Sequence, residues 1–322
     1  MIIAKTPLRV SLFGGGTDYK EFYSKYGSSV IGFCIDKYSY VSLRKTPSIF
    51  PFKSSISYSK TELVSSNKDI RHDGVRGVLE YLNMKQGVEI NYAGDLPAQT
   101  GTGSSSSFIV GLLNAIYCLK NKKISKQELA KQAIEIERVL LAEPGGIQDQ
   151  IWAAYGGINS IEIDTAGIFE VKPLPVSDKF IQGFIERSAL IYTGKTRKSF
   201  KLATQVGSSS NTDAKKKILE LSRRAYETFL DSNIDGVAKL LDKSWHQKKK
   251  LSPMVSPKPI NELYQTLIEM GMQGGKLLGA GGAGFIFGIF KTKEHKDLAK
   301  KRYRSKNINF AIDKGGSQII NK

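Results

Sequence analysis

The 322-residue chain alternates between two hydrophobic periods, and the switch from one to the other divides it. Before residue 172, short apolar runs of strand character dominate: residues 2–4, 10–13, 30–35, 40–45, 88–92 and 157–163. Two helices interrupt them. In residues 108–119, Leu112, Leu113, Ile116 and Leu119 recur at helical spacing. The second helix opens on the capping box Ser125-Lys-Gln-Glu128 and runs to Leu141. The turn-rich stretch Lys172-Pro-Leu-Pro-Val-Ser-Asp marks a boundary, so two domains are expected, 1–172 and 173–322. Beyond it, a strand at 188–193 gives way to helices at 214–229, 234–249 and 260–270, each with apolar residues three and four apart. A continuous apolar strand at 285–290 and a last strand at 309–312 follow. This order describes an α+β protein whose second half is a small split βαβ layer.

Composition narrows the class. A hydrophobic content of 40% supplies two cores of ordinary size. The two cysteines, Cys34 and Cys118, sit in apolar surroundings and do not suggest a disulfide framework, which fits a reducing cytoplasm. Lys5 and Arg9 break up the apolar N-terminus, so no signal peptide is expected, and residues 108–119 are too short to span a bilayer. The 48 basic and 30 acidic residues give a formal charge of +18. The basic residues are spread along the chain, with short runs at 120–123, 215–217, 248–250 and 300–304, and none lies in a nucleic-acid module with interleaved aromatics. The charge is read as solvated helix faces together with a field that attracts phosphorylated, polyanionic substrates; neither nucleic acid nor a membrane is expected as a partner.

Three glycine-rich segments carry the candidate chemistry. The central one is Pro97-Ala-Gln-Thr-Gly101-Thr102-Gly103-Ser104-Ser105-Ser106-Ser107, set between the strand at 88–92 and the helix after it. Glycines let backbone approach a ligand, and first-turn N–H groups with the helix dipole favour an anion; a plain serine N-cap is the other reading. The first segment, Arg9-Val-Ser-Leu-Phe-Gly14-Gly15-Gly16-Thr17-Asp18-Tyr19, places an arginine inside a strand, where its charge needs a partner. Asp18 there is a turn former or a ligand. The third, Gly274-Gly-Lys-Leu-Leu-Gly279-Ala-Gly281-Gly282-Ala-Gly284-Phe, is a glycine-lined turn feeding a buried strand, and its glycine density implies that something packs tightly on its backbone. Between the second and third lie two carboxylates. Glu137 shares a helical face with Ala130, Ala133 and Ile134, so it must be paired or bind a metal. Asp149 sits in Gly145-Gly-Ile-Gln-Asp149-Gln, as a turn former or a catalytic group. Ala189-Leu-Ile-Tyr-Thr-Gly194-Lys195-Thr196 imitates a phosphate-binding P-loop, but its intervening residues continue an apolar strand.

In this order and at these separations, the three segments resemble the signature of the kinase family that includes galactokinase, homoserine kinase, mevalonate kinase and phosphomevalonate kinase. The resemblance spans residues 7 to about 290. Thr17-Asp18-Tyr19 looks like the sugar-kinase version of the first motif. Where galactokinases carry Glu-His this chain has Gly15-Gly16, which, with Gly-Ile-Gln-Asp149-Gln, is similar to the heptose 7-phosphate kinase branch; fucokinase domains share parts of it. The resemblance implies the two-domain GHMP kinase fold, a ribosomal-S5-like N-terminal domain plus a ferredoxin-like C-terminal domain, with nucleotide and substrate between them.

It also implies roles. ATP and Mg2+ are the expected cofactors, and a small sugar phosphate is the expected acceptor. Residues Pro97 and Gly101 to Ser107 hold the ATP phosphates, with Ser105 and Glu137 on Mg2+. Asp149 faces the hydroxyl to be phosphorylated and Arg9 stabilises charge; an arginine beside a carboxylate favours its charged form. Gly15, Gly16, Thr17, Asp18, Thr193, Arg197, Gly281 and Gly282 are expected on the substrate side, with Lys195 and Arg197 as partners for its phosphate. Glu137 and Asp149 stand one residue farther apart than in mevalonate kinases. Residues 46–76 are expected to contribute to the adenine pocket without a motif of their own. A non-catalytic sugar sensor with the same fold is the alternative from outside the enzyme class.

Overall fold

The computed structural model describes residues 1–196 and 200–322. Its first sheet contains β1 (Ile2–Phe13), β2 (Ser28–Lys45), β3 (Ser54–Ser57), β4 (Thr61–Val64), β5 (Val88–Gly94), β6 (Ile158–Ile163) and β7 (Phe169–Pro173). A second sheet is built from β8 (Ser188–Tyr192), β9 (Met272–Leu277), β10 (Phe285–Phe290) and β11 (Asn307–Ile308). The last strand, β12 (Gln318–Asn321), returns to the first sheet and pairs antiparallel with β1. The first sheet has the order β12-β1-β2-β5-β3-β4, with β6 and β7 branching from β2; the second runs β11-β8-β10-β9. That second order, with every pair antiparallel, is the ferredoxin-like arrangement.

The helices are α1 (Lys20–Tyr26), α2 (Asp73–Tyr81), α3 (Ser104–Leu119), α4 (Lys126–Glu135), α5 (Gln148–Tyr155), α6 (Asp178–Glu186), α7 (Phe200–Gly207), α8 (Thr212–Leu230), α9 (Ile234–Lys249), α10 (Lys258–Glu269) and α11 (Lys293–Arg302). α3 is apolar nearly all round because sheet and helices enclose it: its Leu112, Leu113 and Ile116 join Val41 of β2, Ala133 of α4 and Trp152 of α5 in one core. A second core joins both halves. Phe33 of β2 meets Phe184 of α6 and Phe287 of β10 edge-on at 6.0 and 5.7 Å, and Phe13 meets Phe229 of α8 at 6.5 Å. Aromatic burial of this extent fixes the halves against each other, and truncating Phe33 to alanine would cost about 3–5 kcal/mol.

Several elements differ from the sequence expectation. β1 runs unbroken through Pro7 because the missing N–H falls at a register shift between Pro7 and Leu8. β2 is one strand rather than two. The expected last strand at 309–312 reduces to β11 and an isolated bridge at Ile312, and the true C-terminal strand lies beyond it. The helix expected to reach Leu141 ends at Glu135 and widens into a π turn, Ile136–Leu140, in which the Leu141 N–H donates to the Ile136 carbonyl at 2.9 Å. A π turn takes up one residue more than an α turn, and Glu137 lies within it.

Candidate active site

The uncapped N-terminus of α3 sets the site. Gly103 precedes the helix in the left-handed region at φ 76°, and no side chain caps the first turn. The first-turn N–H groups therefore face the cleft unspent, which separates an anion site from a serine cap. Gly101 is also left-handed, at φ 79°. The third glycine segment packs on this loop backbone to backbone. A methyl carbon on Gly279 would lie 2.5 Å from the Gly101 Cα, and one on Gly284 would lie 2.1 Å from the Thr100 carbonyl oxygen. The glycine density read from the sequence thus has its cause in the loop that precedes α3.

Arg9, mid-strand in β1, ties the loop to Asp149. Its guanidinium donates to Asp149 through Nε at 2.8 Å and through Nη2 at 2.7 Å, and Nη1 donates to the Gly101 carbonyl. Its backbone N–H donates to the Thr102 carbonyl at 3.0 Å. The Arg9 side chain is 5% exposed and that of Asp149 is 26% exposed. Asp149 lies in the first turn of α5, where the dipole favours negative charge. This is a buried arginine clamped in bidentate fashion by a carboxylate that still reaches the cleft.

Asp18 holds the same turn from the other side. It accepts from the Gly16 N–H at 2.9 Å and from Gln148 Nε2 at 2.9 Å, and burial raises its pKa, with the Asp149 charge adding to the rise. A methyl on Gly146 would come within 1.8 Å of Asp18 Oδ2, so only glycine fits there.

Glu137 is buried in the π turn at 1% exposure. Its Oε2 accepts from Ser106 Oγ at 2.7 Å and from Gln150, with Arg138 at 3.5 Å. Its Oε1 has no hydrogen-bond partner, and burial, opposed by Arg138, pushes its pKa up to about 7. A buried carboxylate with one free oxygen on a cleft suits a cation. Among the described residues no group of three or more His, Cys, Asp or Glu could hold a metal alone, but a nucleotide-borne Mg2+ needs only one or two protein carboxylates. The serine that hydrogen-bonds Glu137 is Ser106, while Ser105, expected with Glu137 on Mg2+, makes no hydrogen bond to it. Successive helix residues point about 100° apart, so Ser106 turns inward while Ser105 stays exposed on the cleft.

Other expected residues are placed differently. Ser107 is buried, with its hydroxyl on the Pro7 carbonyl at 2.8 Å. Thr102 is buried and contributes its carbonyl to Arg9, and Pro97 accepts from the Thr100 hydroxyl at 2.8 Å; neither lines the cleft. Thr17 is fully buried, its hydroxyl shared between the Gly14 carbonyl at 2.8 Å and Ser28 at 2.6 Å, so it shapes the turn instead of meeting a ligand. Gly281 and Gly282 pack on Val255, and it is Gly279 and Ala280 that reach the cleft. Thr193 is tied to Gly284 at the end of β8 and does not line the cleft. Arg197 lies outside the described residues, and Lys195 is exposed.

Two buried lysines from the second half escaped the sequence reading. Lys248, on α9, lines the cleft and donates to the Gly279 carbonyl; burial and the nearby Arg9 lower its pKa to about 8. Lys276, on β9, donates to the Leu12 carbonyl at 2.8 Å, and burial with the Lys248 and Arg9 charges drives its pKa well down. The basic run at 248–250 reads as a solvated helix face, and Lys276 inside the third glycine segment carries no signal of its own.

Arg9, Asp18, Glu137, Asp149, Lys248 and the start of α3 line one cleft of about 420 Å³ between the halves, together with His72, Tyr92 and Phe108. A larger, more open groove of about 1160 Å³ past Asp242, His246 and Tyr264 takes in none of the three glycine segments. An open helix N-terminus facing an arginine–carboxylate pair, with a buried carboxylate beside it, is the site of a phosphoryl-transfer enzyme. The comparisons agree. Residues 73–157 match the model described as "GHMP kinases N terminal domain" and residues 225–309 the model described as "GHMP kinases C terminal". The D-glycero-alpha-D-manno-heptose 7-phosphate kinase of Campylobacter jejuni is 30% identical over 93% of this chain and 92% of its own. A mevalonate kinase of Methanocaldococcus jannaschii is 25% identical over 93% and 95%. In fold, a D-glycero-D-manno-heptose 1-phosphate kinase from Bacteroides thetaiotaomicron superposes with a TM-score of 0.81 at 23% identity, covering 100% of this chain and 99% of that one. A Campylobacter jejuni structure described as a putative sugar kinase gives 0.78 at 27%, covering 99% and 98%. The chain belongs to the GHMP kinase family and is an ATP-dependent phosphotransferase.

Proposed function

We propose that this enzyme is a sugar-phosphate kinase that transfers the γ-phosphoryl group of ATP to the anomeric hydroxyl of D-glycero-D-manno-heptose 7-phosphate, giving the 1,7-bisphosphate. The observation that carries the transfer chemistry is the bidentate Arg9–Asp149 pair beside the uncapped N-terminus of α3. The first-turn N–H groups and the Gly101–Gly103 backbone bind the triphosphate. His72, Tyr92 and Phe108 offer the adenine a mostly aromatic wall; His72 is the contribution of residues 46–76, packed 5.1 Å from Phe108. Glu137, with Ser105 and Ser106 alongside, would hold Mg2+, which would supply charge to offset that of the phosphate oxygens.

Asp149 orients the acceptor hydroxyl and takes its proton, while Arg9 keeps the carboxylate in place and balances charge at the transferring group. Because the transition state is loose, this positioning matters more than proton abstraction. Asp18, fixed by Gly16 and Gln148, meets the sugar hydroxyls. The Campylobacter relative, a D-glycero-alpha-D-manno-heptose 7-phosphate kinase, supports the heptose assignment. A coupled assay with ATP and Mg2+ against heptose 7-phosphate, free heptose, fucose, galactose and mevalonate tests it. Turnover should be highest on heptose 7-phosphate; a preference for any unphosphorylated acceptor refutes the assignment, and no turnover on any refutes a sugar kinase.

A further inference from the structure

The three atoms nearest to a side chain at Gly15 would all be polar. A methyl carbon there would lie 3.3 Å from Ser11 Oγ, 3.6 Å from Gln148 Nε2 and 3.9 Å from Lys276 Nζ. Ser11 is 4% exposed, lines the cleft and has no hydrogen-bond partner. Lys276 is 2% exposed and spends one N–H on the Leu12 carbonyl, leaving two. Lys248, also buried, enters the cleft beside it and donates to the Gly279 carbonyl. Among the described residues, both lysines donate to carbonyls and neither forms an ion pair, whereas Arg9 is paired with Asp149. Two buried lysines that form no ion pair, with only the more distant carboxylates of Asp18 and Asp149 to favour their charged forms, stand next to an unused buried hydroxyl, and such groups are expensive for a fold to keep unless an anion completes them.

We propose that the hollow over Gly15, with Ser11, Lys276 and Lys248, is the receptor for a phosphate that the acceptor already carries. This deepens the sugar-phosphate reading above and rests on it. It moves the phosphate partners from the exposed Lys195 and the segment around Arg197 to two buried lysines on α9 and β9. It also explains Gly15 chemically: any side chain there would fill the receptor, and a carboxylate would neutralise Lys276 itself. The nucleotide's own phosphates are the other source of such a group, and the test separates the two.

Gly15 is not among the glycines in the left-handed region, and a Cβ there needs only the Ser11 hydroxyl, 3.3 Å away, to shift slightly, so Gly15→Glu should fold, its carboxylate pairing with Lys276. In the wild type, kcat/KM for heptose 7-phosphate should exceed that for free heptose by about 10²-fold or more, as expected for a desolvated charge-assisted contact. In Gly15→Glu that ratio should fall to near or below one, and Lys276→Met and Ser11→Ala should lower it by about 10²-fold and 10-fold respectively, with the KM for ATP little changed. Equal losses on both acceptors, or weakened binding of a non-hydrolysable ATP analogue in the absence of sugar, would overturn the receptor while leaving the kinase assignment standing. Calorimetric titration with inorganic phosphate, without nucleotide, reads the receptor even if the acceptor is misassigned. Saturable binding in the wild type, lost in Gly15→Glu, supports it; identical isotherms sink it.

Discussion

Replacing Glu137 with glutamine should make the protein more stable and less active at the same time. In the folded chain, burial raises the pKa of this carboxyl from its ordinary 4.5 to about 7. The folded state therefore binds its proton more tightly than the unfolded state does. Stability from this group is fully present below about pH 4.5 and is lost as pH rises to about 7. Above that, the metal-free protein carries a penalty of about 3 kcal/mol, at 1.36 kcal/mol for each tenfold difference in proton affinity. Glutamine keeps the shape, and its amide oxygen can still accept from Ser106 and Gln150, but it carries no charge to desolvate. In EDTA at pH 8, Glu137→Gln should melt several degrees higher than wild type, and the gap should close towards pH 5. With Mg2+ and ATP present the order should reverse, and the midpoint of a Mg2+ titration of activity should rise for the variant. The assay is differential scanning fluorimetry across pH, with and without Mg·ATP. A variant less stable than wild type in EDTA at pH 8 would show that the Arg138 contact outweighs desolvation and that Glu137 is a structural ion-pair partner.

Asp149→Asn should leave ATP-analogue binding nearly intact and lower turnover by about 10²–10⁴-fold, read in the coupled assay; wild-type turnover would remove Asp149 from the chemistry. Lys248, with its pKa lowered to about 8, loses its proton in the ligand-free enzyme as pH rises through that value. Phosphorylated acceptors should therefore bind more weakly above pH 8 than at pH 7, a dependence that Lys248→Met should abolish in a titration series at both pH values; the same slope in both proteins would assign the titration to another group.

The sequence by itself determined the parts of this enzyme whose chemistry is local. A loop that opens a helix needs glycines at Gly101 and Gly103 wherever it folds, and the apolar spacing of α3 or α9 follows from the helical period. The candidates Arg9, Asp18, Glu137 and Asp149 were visible because each stood as a charge inside a glycine turn or an apolar pattern. What the tertiary structure alone decided is which groups meet. Around Pro7 both faces of β1 are covered, by α3 on one side and by the C-terminal half on the other, so the alternation that marks a strand is erased where it matters. Ser106, not Ser105, reaches Glu137 because the π turn and the first turn of α3 face each other at one rotation only. Thr17 and Thr193, polar residues at motif ends, turn out to hold the turns rather than the ligand. Lys248 and Lys276 look like ordinary basic residues until α9 and β9 close over the Gly14–Gly16 turn. Burial, which turns a solvated lysine into a receptor for charge, belongs to the packing of distant segments and has no local signal in the chain.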